Sequence, residues 1–221
     1  MGPAESRKPP RPLRGLGAER GNTETHSGKI AAIILAAGAS ARMGTPKLLL
    51  THRGVPLLRL AVDAAIRGGC DDVVVVLGAD RERYLPVLKG TPARPVHNPD
   101  FAQGMSTSIR TGIEAVPEDA GAAVIMLADQ PFVDEAVIRR LIETYRTSGR
   151  KIVASTYEGV RGVPVVFDRA LFLELLVLEG DQGARQIMAT YPTHVATVEV
   201  PPDRARDIDT PEDARRFLAE G

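Results

Sequence analysis

The 221-residue sequence contains no tryptophan, and aromatics make up only 4% of it. Stacking platforms for single-stranded nucleic acid are therefore scarce. It also lacks net charge: 28 lysines and arginines balance 28 aspartates and glutamates. That removes the electrostatic footprint of a nucleic-acid or anionic-membrane binder, so no nucleic-acid partner is expected. A single cysteine, Cys70, excludes an internal disulfide and a cysteine-based metal cluster; it reads as a small core or surface residue. No apolar run is long enough to span a bilayer. What remains is 43% hydrophobic and 25% charged. This is the composition of a soluble globular protein with one sizeable core, expected in the cytoplasm. Residues 1–28 are rich in Pro, Gly, Arg and Glu and nearly devoid of large aliphatics, and they lack the apolar centre of a signal peptide. They are expected to form a disordered tail, with residues 29–221 forming a single domain. Met1 to Ser6 formally fit a myristoylation pattern, but no extended basic patch supports it.

The chain turns on Lys29 to Leu50, KIAAIILAAGASARMGTPKLLL. Ile30 to Leu35 suits a strand buried on both faces. At its carboxyl end the side chains shrink through Ala36, Ala37 and Gly38, so a ligand can lie against the backbone there. The loop that follows carries Ser40, Arg42, Gly44 and Lys47. The two cations are what a polyphosphate requires, and the stretch reads as a triphosphate cradle. It is neither a Walker loop nor a dinucleotide fingerprint, because neither glycine spacing is present. The plainer alternative is a strand-to-helix turn with two solvated cations.

Further strands are expected at Val73–Leu77, Arg94–His97, Ala122–Ala128, Ile152–Thr156, Val165–Phe167 and Val195–Val200, with a short extended piece at Leu48–Thr51. Helices are expected at Leu57–Arg67, Arg81–Leu88, Met105–Ala115, Asp134–Tyr145, Leu171–Glu179 and Gly183–Thr190, and a last one is opened by Thr210. Alternating strands and helices predict an α/β fold with one mostly parallel, doubly wound sheet, helices on both faces and a site at the strands' carboxyl ends.

Asp129 ends the third apolar strand, where open α/β sheets bind ligands, and a hard carboxylate there suits Mg²⁺. Helix capping explains it poorly, since Asp134 is better placed for that. Asp207 and Asp209 share a face of an extended segment, and either could complete a metal site, or both could be solvated acids before a helix. Asn98 to Ser106 would otherwise read as an Asn-Pro turn followed by a Ser-capped helix. No serine, cysteine or histidine constellation for covalent catalysis stands out.

LAAGASARMGTPKLLL, with its L-A-A-G-x-S-x-R-M-G-x-x-K pattern, resembles the signature loop of the nucleotidyltransferases acting on the molybdenum cofactor, and within them the cytidylyltransferase branch. The likeness runs from about Lys29 to the end and implies a Rossmann-like nucleotidyltransferase domain. It implies CTP and a molybdopterin-type cofactor as substrates, Mg²⁺ as the metal, and transient contact of the product with a molybdoenzyme or its chaperone. Arg42 and Lys47 would hold the triphosphate, and Asp129 and Asp209 the metal. Leu35, Ala36, Ala37, Gly38, Ser40 and Gly44 would surround the nucleotide. Gly78, Asn98, Gly104 and Ser106 would form the base pocket, with Asn98 at the base edge. Gln130, Arg161, Gly162, Asp181 and Arg185 would face the acceptor. Val163 stands where relatives carry a His, which bears on the acceptor. Ala37 in place of a second Gly, together with Asn98, points to CTP over GTP. The alternatives are a nucleotidyltransferase of the same fold using GTP or another phosphorylated acceptor, and a non-catalytic cofactor-binding or chaperone protein.

Overall fold

The computed structural model describes residues 26–39 and 45–219. The strands are β1 (Lys29–Ala36), β2 (Thr51–His52), β3 (Val55–Pro56), β4 (Asp72–Leu77), β5 (Arg94–His97), β6 (Ala120–Leu127), β7 (Ile152–Tyr157), β8 (Val160–Asp168) and β9 (Val195–Glu199). The helices are α1 (Leu57–Gly68), α2 (Arg81–Tyr84), α3 (Met105–Glu114), α4 (Glu135–Ser148), α5 (Phe172–Leu176), α6 (Ala184–Thr190) and α7 (Pro211–Ala219). Among these residues no helix is long and apolar enough to cross a membrane.

Seven strands form the sheet in the order β5-β4-β1-β6-β8-β7-β9, with β8 antiparallel to its neighbours and the other pairs parallel. β1 is central. Its even-numbered residues, Ile30, Ala32 and Ile34, pack with Leu58 and Val62 of α1 and Ile138 and Leu141 of α4. Its odd-numbered Ala31 and Ile33 pack with Ile109 of α3, Leu175 of α5 and Ile187 of α6. A strand covered on both faces must be apolar at every position, which is why β1, β4 and β6 read as unbroken aliphatic runs. From β1 the chain moves to β4 on one side and later returns to β6 on the other. The switch in winding direction opens a crevice at the carboxyl ends of β1 and β6.

Several element boundaries differ from those expected. Lys47–Leu49 is a 3-10 turn rather than an extended piece. Leu85–Leu88 leaves α2 as a separate 3-10 turn; Pro86 has no N–H to continue an α-helix. The stretch expected as the helix Leu171–Glu179 is a 3-10 turn, Arg169–Leu171, followed by the five-residue α5. β8 is far longer than Val165–Phe167. It forms a hairpin with β7 through Glu158 (φ 51°) and Gly159 (φ 82°), the positive-φ pair of a two-residue turn whose twist matches the strands. Within it the register jumps: Ala154 pairs Val165, but Ser155 pairs Gly162. Val163 and Pro164 thus form a bulge. Its carbonyls accept hydrogen bonds from Tyr157 Oη (2.8 Å, to Val163) and Ser155 Oγ (2.8 Å, to Pro164).

Cys70 is buried, and burial pushes its thiol pKa up to about 12, so it is inert at neutral pH. His26 stacks on Tyr145 of α4 with ring centroids 4.2 Å apart.

Candidate active site

The loop after β1 and the turn after β6 are held side by side, with the Ala128 amide donating to the Leu35 carbonyl (3.2 Å). The segment carrying Asp207 and Asp209 lies along the same strand end, because the Ile208 amide donates to the Asp129 carbonyl (3.0 Å). A capping box fixes the chain just beyond Asp209. Asp213 accepts from the Thr210 amide (2.8 Å), and Thr210 Oγ1 accepts from the Asp213 amide (3.2 Å). Four backbone and capping contacts therefore bring together acids 80 residues apart.

Lys47 reaches into this corner from its 3-10 turn. Its Nζ donates to Asp129 Oδ2 (2.6 Å) and to Asp209 Oδ1 (2.8 Å). Only 14% of the lysine side chain is exposed. Burial alone would lower the ammonium's pKa, but the two carboxylates outweigh it and hold the pKa above its ordinary value. Asp129 Oδ1 is buried with no hydrogen-bond partner among the described residues. Asp207 Oδ1 accepts from Gln130 Nε2 (2.8 Å). Lost solvation, with help from the Asp129 and Asp209 charges, raises the Asp207 pKa despite the Gln130 bond and the Lys47 charge.

Among the described residues no group of three or more His, Cys, Asp or Glu could hold a metal by itself. Two carboxylates, one with an unpartnered oxygen, nevertheless fit a hard divalent cation whose other ligands are phosphate and water. Asp129 and Asp209 are the residues that would hold it.

Beside these groups lies a cavity of about 470 Å³, lined by Leu35, Ala37, Gly38, Gly104, Asp129 and Asp209 among others, a size suited to a small-molecule ligand. Ala36 points away and packs in the core with α1 and α4. Ser40, Arg42 and Gly44 lie outside the described residues. Phe101, Ala102, Met105, Ser108 and Leu127 also line the cavity; sequence reasoning missed them, and only their nearness to Gly104 or Asp129 hinted at them.

Two expected base-pocket residues serve differently. Asn98 is 1% exposed. Its Nδ2 donates to Thr107 Oγ1 and Ser108 Oγ (2.9 Å each), and its Oδ1 accepts from the Asp100 amide (3.0 Å). With its donors and acceptor spent inside the loop, it does not present an edge to a base; it positions Ser108, which lines the cavity. Gly78 is a packing point. A Cβ there would lie 2.4 Å from the Ala37 carbonyl oxygen. Ser106 is buried, lines neither this cavity nor the one described next, and its Oγ has no partner among the described residues.

Of the residues expected to face an acceptor, Asp181 lines the 470 Å³ cavity and a second one of about 350 Å³, which Arg185 and Val163 also line. Arg161 and Gly162 line neither and belong to the β7–β8 hairpin. Gln130 lines neither and instead orients Asp207. At Gly104 (φ 115°) the Gly180–Asp181 turn meets the start of α3. A Cβ there would fall 2.3 Å from the Gly180 carbonyl oxygen, and the same oxygen accepts from the Ser106 amide (3.1 Å).

Comparisons with known proteins bear on the family. The chain is 31% identical over 199 residues to nicotine blue oxidoreductase of Paenarthrobacter nicotinovorans, covering 86% of this chain and 96% of that protein. It is 30% identical over 149 residues to the bifunctional protein GlmU of Mycobacterium sp. (strain KMS), covering 64% of this chain and spanning only 30% of that longer protein. The crystal structure of Rv0371c from Mycobacterium tuberculosis in complex with manganese superposes with a TM-score of 0.71 at 30% identity, covering 87% of this chain and 100% of that one. Residues 32–197 match the family model of the MobA-like NTP transferase domain. With the nucleotidyltransferase fold, the acidic corner and the cavity in place, the chain belongs to the family of MobA-like NTP transferase domains, and is an enzyme of the nucleotidyltransferase class.

Proposed function

We propose that this protein transfers a cytidylyl group from CTP to the terminal phosphate of a molybdopterin-type cofactor, in the cytoplasm and with Mg²⁺. An oxygen of the acceptor phosphate attacks the α-phosphorus of CTP, the bond to the β-phosphate breaks, and pyrophosphate leaves. The product is handed to a molybdoenzyme or its chaperone. The observation that carries this reading is the Lys47 ammonium set between Asp129 and Asp209, both of which line the 470 Å³ cavity.

Lys47 brings a fixed positive charge to where the α-phosphate oxygens and the departing pyrophosphate gain negative charge. Arg42, always charged and bidentate, grips the triphosphate. Asp129 and Asp209 hold the divalent ion, which when bound neutralises phosphate charge and orients the leaving group. Leu35, Ala37 and Gly38 give the nucleotide a close backbone surface. The Ala37 methyl narrows it and favours the smaller pyrimidine. A protein that only stored a cofactor would have little use for a half-buried lysine between two acids.

The test is incubation with each nucleoside triphosphate, Mg²⁺ and molybdenum cofactor, following pyrophosphate release and identifying the product by mass. A cytidylylated cofactor is the expected result. Pyrophosphate released with GTP, or with another phosphorylated acceptor, would establish the second reading of the same site. Conversion without pyrophosphate would overturn nucleotidyl transfer altogether.

A further inference from the structure

We propose that Phe217 of α7 is the positioning residue of the acidic corner: its ring ties together the three chain segments that carry Lys47, Asp129 and Asp209. The inference rests on the reading of that corner as the reactive one.

Three observations converge on this ring. The first is contact. Phe217 is 2% exposed. Its ring centroid lies 5.2 Å from that of His52 in β2, and 6.0 Å from that of Phe132, edge to face. The turn carrying Lys47 runs into β2, and Phe132 lies in the turn just after Asp129. Phe217 itself sits on the helix that opens just beyond Asp209. One side chain therefore touches the segments of all three charged groups, although Lys47 and Asp209 are 162 residues apart.

The second is that each path from the ring to its charge is short and fastened. Leu48, beside Lys47, is buried in the same apolar cluster as Phe217. The Leu57 amide donates to the Leu50 carbonyl (2.9 Å), which fastens the β2–β3 hairpin to the lysine's turn. His52 Nδ1 is buried with no hydrogen-bond partner among the described residues, so no bond through that nitrogen holds the ring in place. On the acid side, Asp213 Oδ2 accepts from the amides of Asp209 (3.2 Å) and Thr210 (2.8 Å), so a shift of α7 is passed to Asp209. The Arg206 guanidinium lies 4.4 Å from the Phe132 ring centroid and ties the same acidic segment to the turn after Asp129.

The third is a gap in the packing. A cavity of about 150 Å³, lined by Phe132, Ile208 and Phe217 among others, lies against the acidic segment. Side chains do not fill the space there, so Asp209 is kept in register by few contacts, of which the Phe217 ring is one. Misplacing a group by about 1 Å can cost on the order of 10²-fold in rate, which makes such a contact matter to the chemistry.

The experiment uses the full-length protein and two readouts. Labelling of Lys47 by acetic anhydride, followed by mass spectrometry with the exposed Lys29 as internal reference, reports the corner without metal or nucleotide. Phe217→Ala should speed Lys47 labelling several-fold, because the amine leaves its shielded place between the acids. Calorimetric titration with Mn²⁺ is run in a Lys47→Ala background, where no ammonium competes. There Phe217→Ala should weaken Mn²⁺ binding by about tenfold or more, the usual size for losing a residue that orients a metal ligand. With Asp209→Asn also present, the same change should add little, because the ligand it orients is gone. Phe217→Leu should keep both readouts near their starting values. Leu175→Ala, equally buried on the other face of the sheet, should lower the melting temperature and leave both readouts unchanged. Lys47 labelling at the wild-type rate in folded Phe217→Ala would overturn the proposal. So would Leu175→Ala reproducing its effects, or a Mn²⁺ loss fully additive with that of Asp209→Asn. Should Phe217→Ala not fold, His52→Ala decides: faster Lys47 labelling supports the tie, and an unchanged rate overturns it. If Asp209→Asn leaves Mn²⁺ binding unchanged, the metal reading falls, and Lys47 labelling alone decides the role of Phe217.

Discussion

Lys47 is held by opposing demands. Burial disfavours its charge, while Asp129 and Asp209 demand it, and the carboxylates prevail. A divalent ion held by the same two carboxylates would compete with the ammonium for them. Lys47→Ala should therefore do two things. It should lower kcat by roughly 10²–10³, the usual size for losing one preorganised charge stabiliser. It should also tighten Mn²⁺ binding in the absence of nucleotide. Steady-state kinetics and a Mn²⁺ titration read these separately, and an unchanged Mn²⁺ affinity would show that lysine and metal do not share the acids. Asp129→Asn should act in the opposite sense. It removes a charged oxygen ligand and should raise the Mg²⁺ concentration needed for half-maximal activity; an unchanged requirement would move the metal to Asp207 and Asp209. On the proposed cytidylyl reading, nucleotide choice falls to a single methyl group. Asn98 is occupied within its own loop, so a preference for CTP would rest on Ala37, which is 5% exposed and lines the cavity. Small steric differences of this kind discriminate by about 10–200-fold. Ala37→Gly should raise kcat/KM for GTP by about tenfold while leaving that for CTP nearly constant. No gain with GTP would mean that the base is selected elsewhere.

At the scale of elements, α4 shows how a local signal and a distant contact combine. Asp134 caps it, accepting from the Val137 amide (3.1 Å), and also pairs with Arg204. Burial would raise its pKa, but the Arg204 pairing and the backbone N–H groups prevail and hold it below the ordinary carboxylate range. A carboxyl depressed in the folded state contributes stability above its unfolded pKa and loses it as pH falls through the folded value. Asp134→Ala should cost about 1 kcal/mol near neutrality, the usual cost of a lost cap. The gap between variant and wild type should narrow in acid, as melting temperature against pH would show; a gap constant down to low pH would remove the ionic contribution. That cap was legible in the sequence, and so were β1, β4 and β6, because a strand buried on both faces writes itself as an aliphatic run. β8 was not legible. Gly162 and Pro164 read as breakers, whereas the bulge absorbs both. The helix expected over Leu171–Glu179 stops at Leu176, and beyond it the carbonyls of Leu178 and Gly180 accept from Arg110 and from the Ser106 amide on α3. At the site, the rule that strand ends bind ligands located Asp129, but no spacing could reveal that Lys47 bridges it to Asp209. Nor could chemistry alone reveal that Asn98, well suited to a base edge, finds Thr107 and Ser108 first.

At the scale of the whole molecule, the doubly wound sheet sends its chemistry to one pole. The carboxyl ends of β1 and β6 carry the acids and both cavities. The opposite pole is built for closure. There Gly28 packs against Gly121 at the start of β6, and His26 stacks on Tyr145 at 4.2 Å and 10°. Tyr145 donates its hydroxyl to Asp168 Oδ2 (2.7 Å), and burial, with Asp168 assisting, keeps that hydroxyl protonated by raising its pKa. The chain is thus anchored three residues ahead of β1, and the preceding 25 residues carry few large aliphatics, too few for a core. Deleting residues 1–25 should leave melting temperature and turnover unchanged, whereas deleting 1–28 should lower the melting temperature. A stacked aromatic pair contributes about 0.5–1.5 kcal/mol. For a chain of this size each kcal/mol is worth roughly 2–4 °C, so the expected drop is about 1–6 °C. His26→Ala in the full chain should reproduce it, and kcat should not move in any of these variants, since the clasp lies at the far pole from Lys47. A full-chain His26→Ala as stable as wild type would show that the stack contributes nothing. An equal loss on removing residues 1–25 alone would show that the anchor lies earlier in the chain than His26.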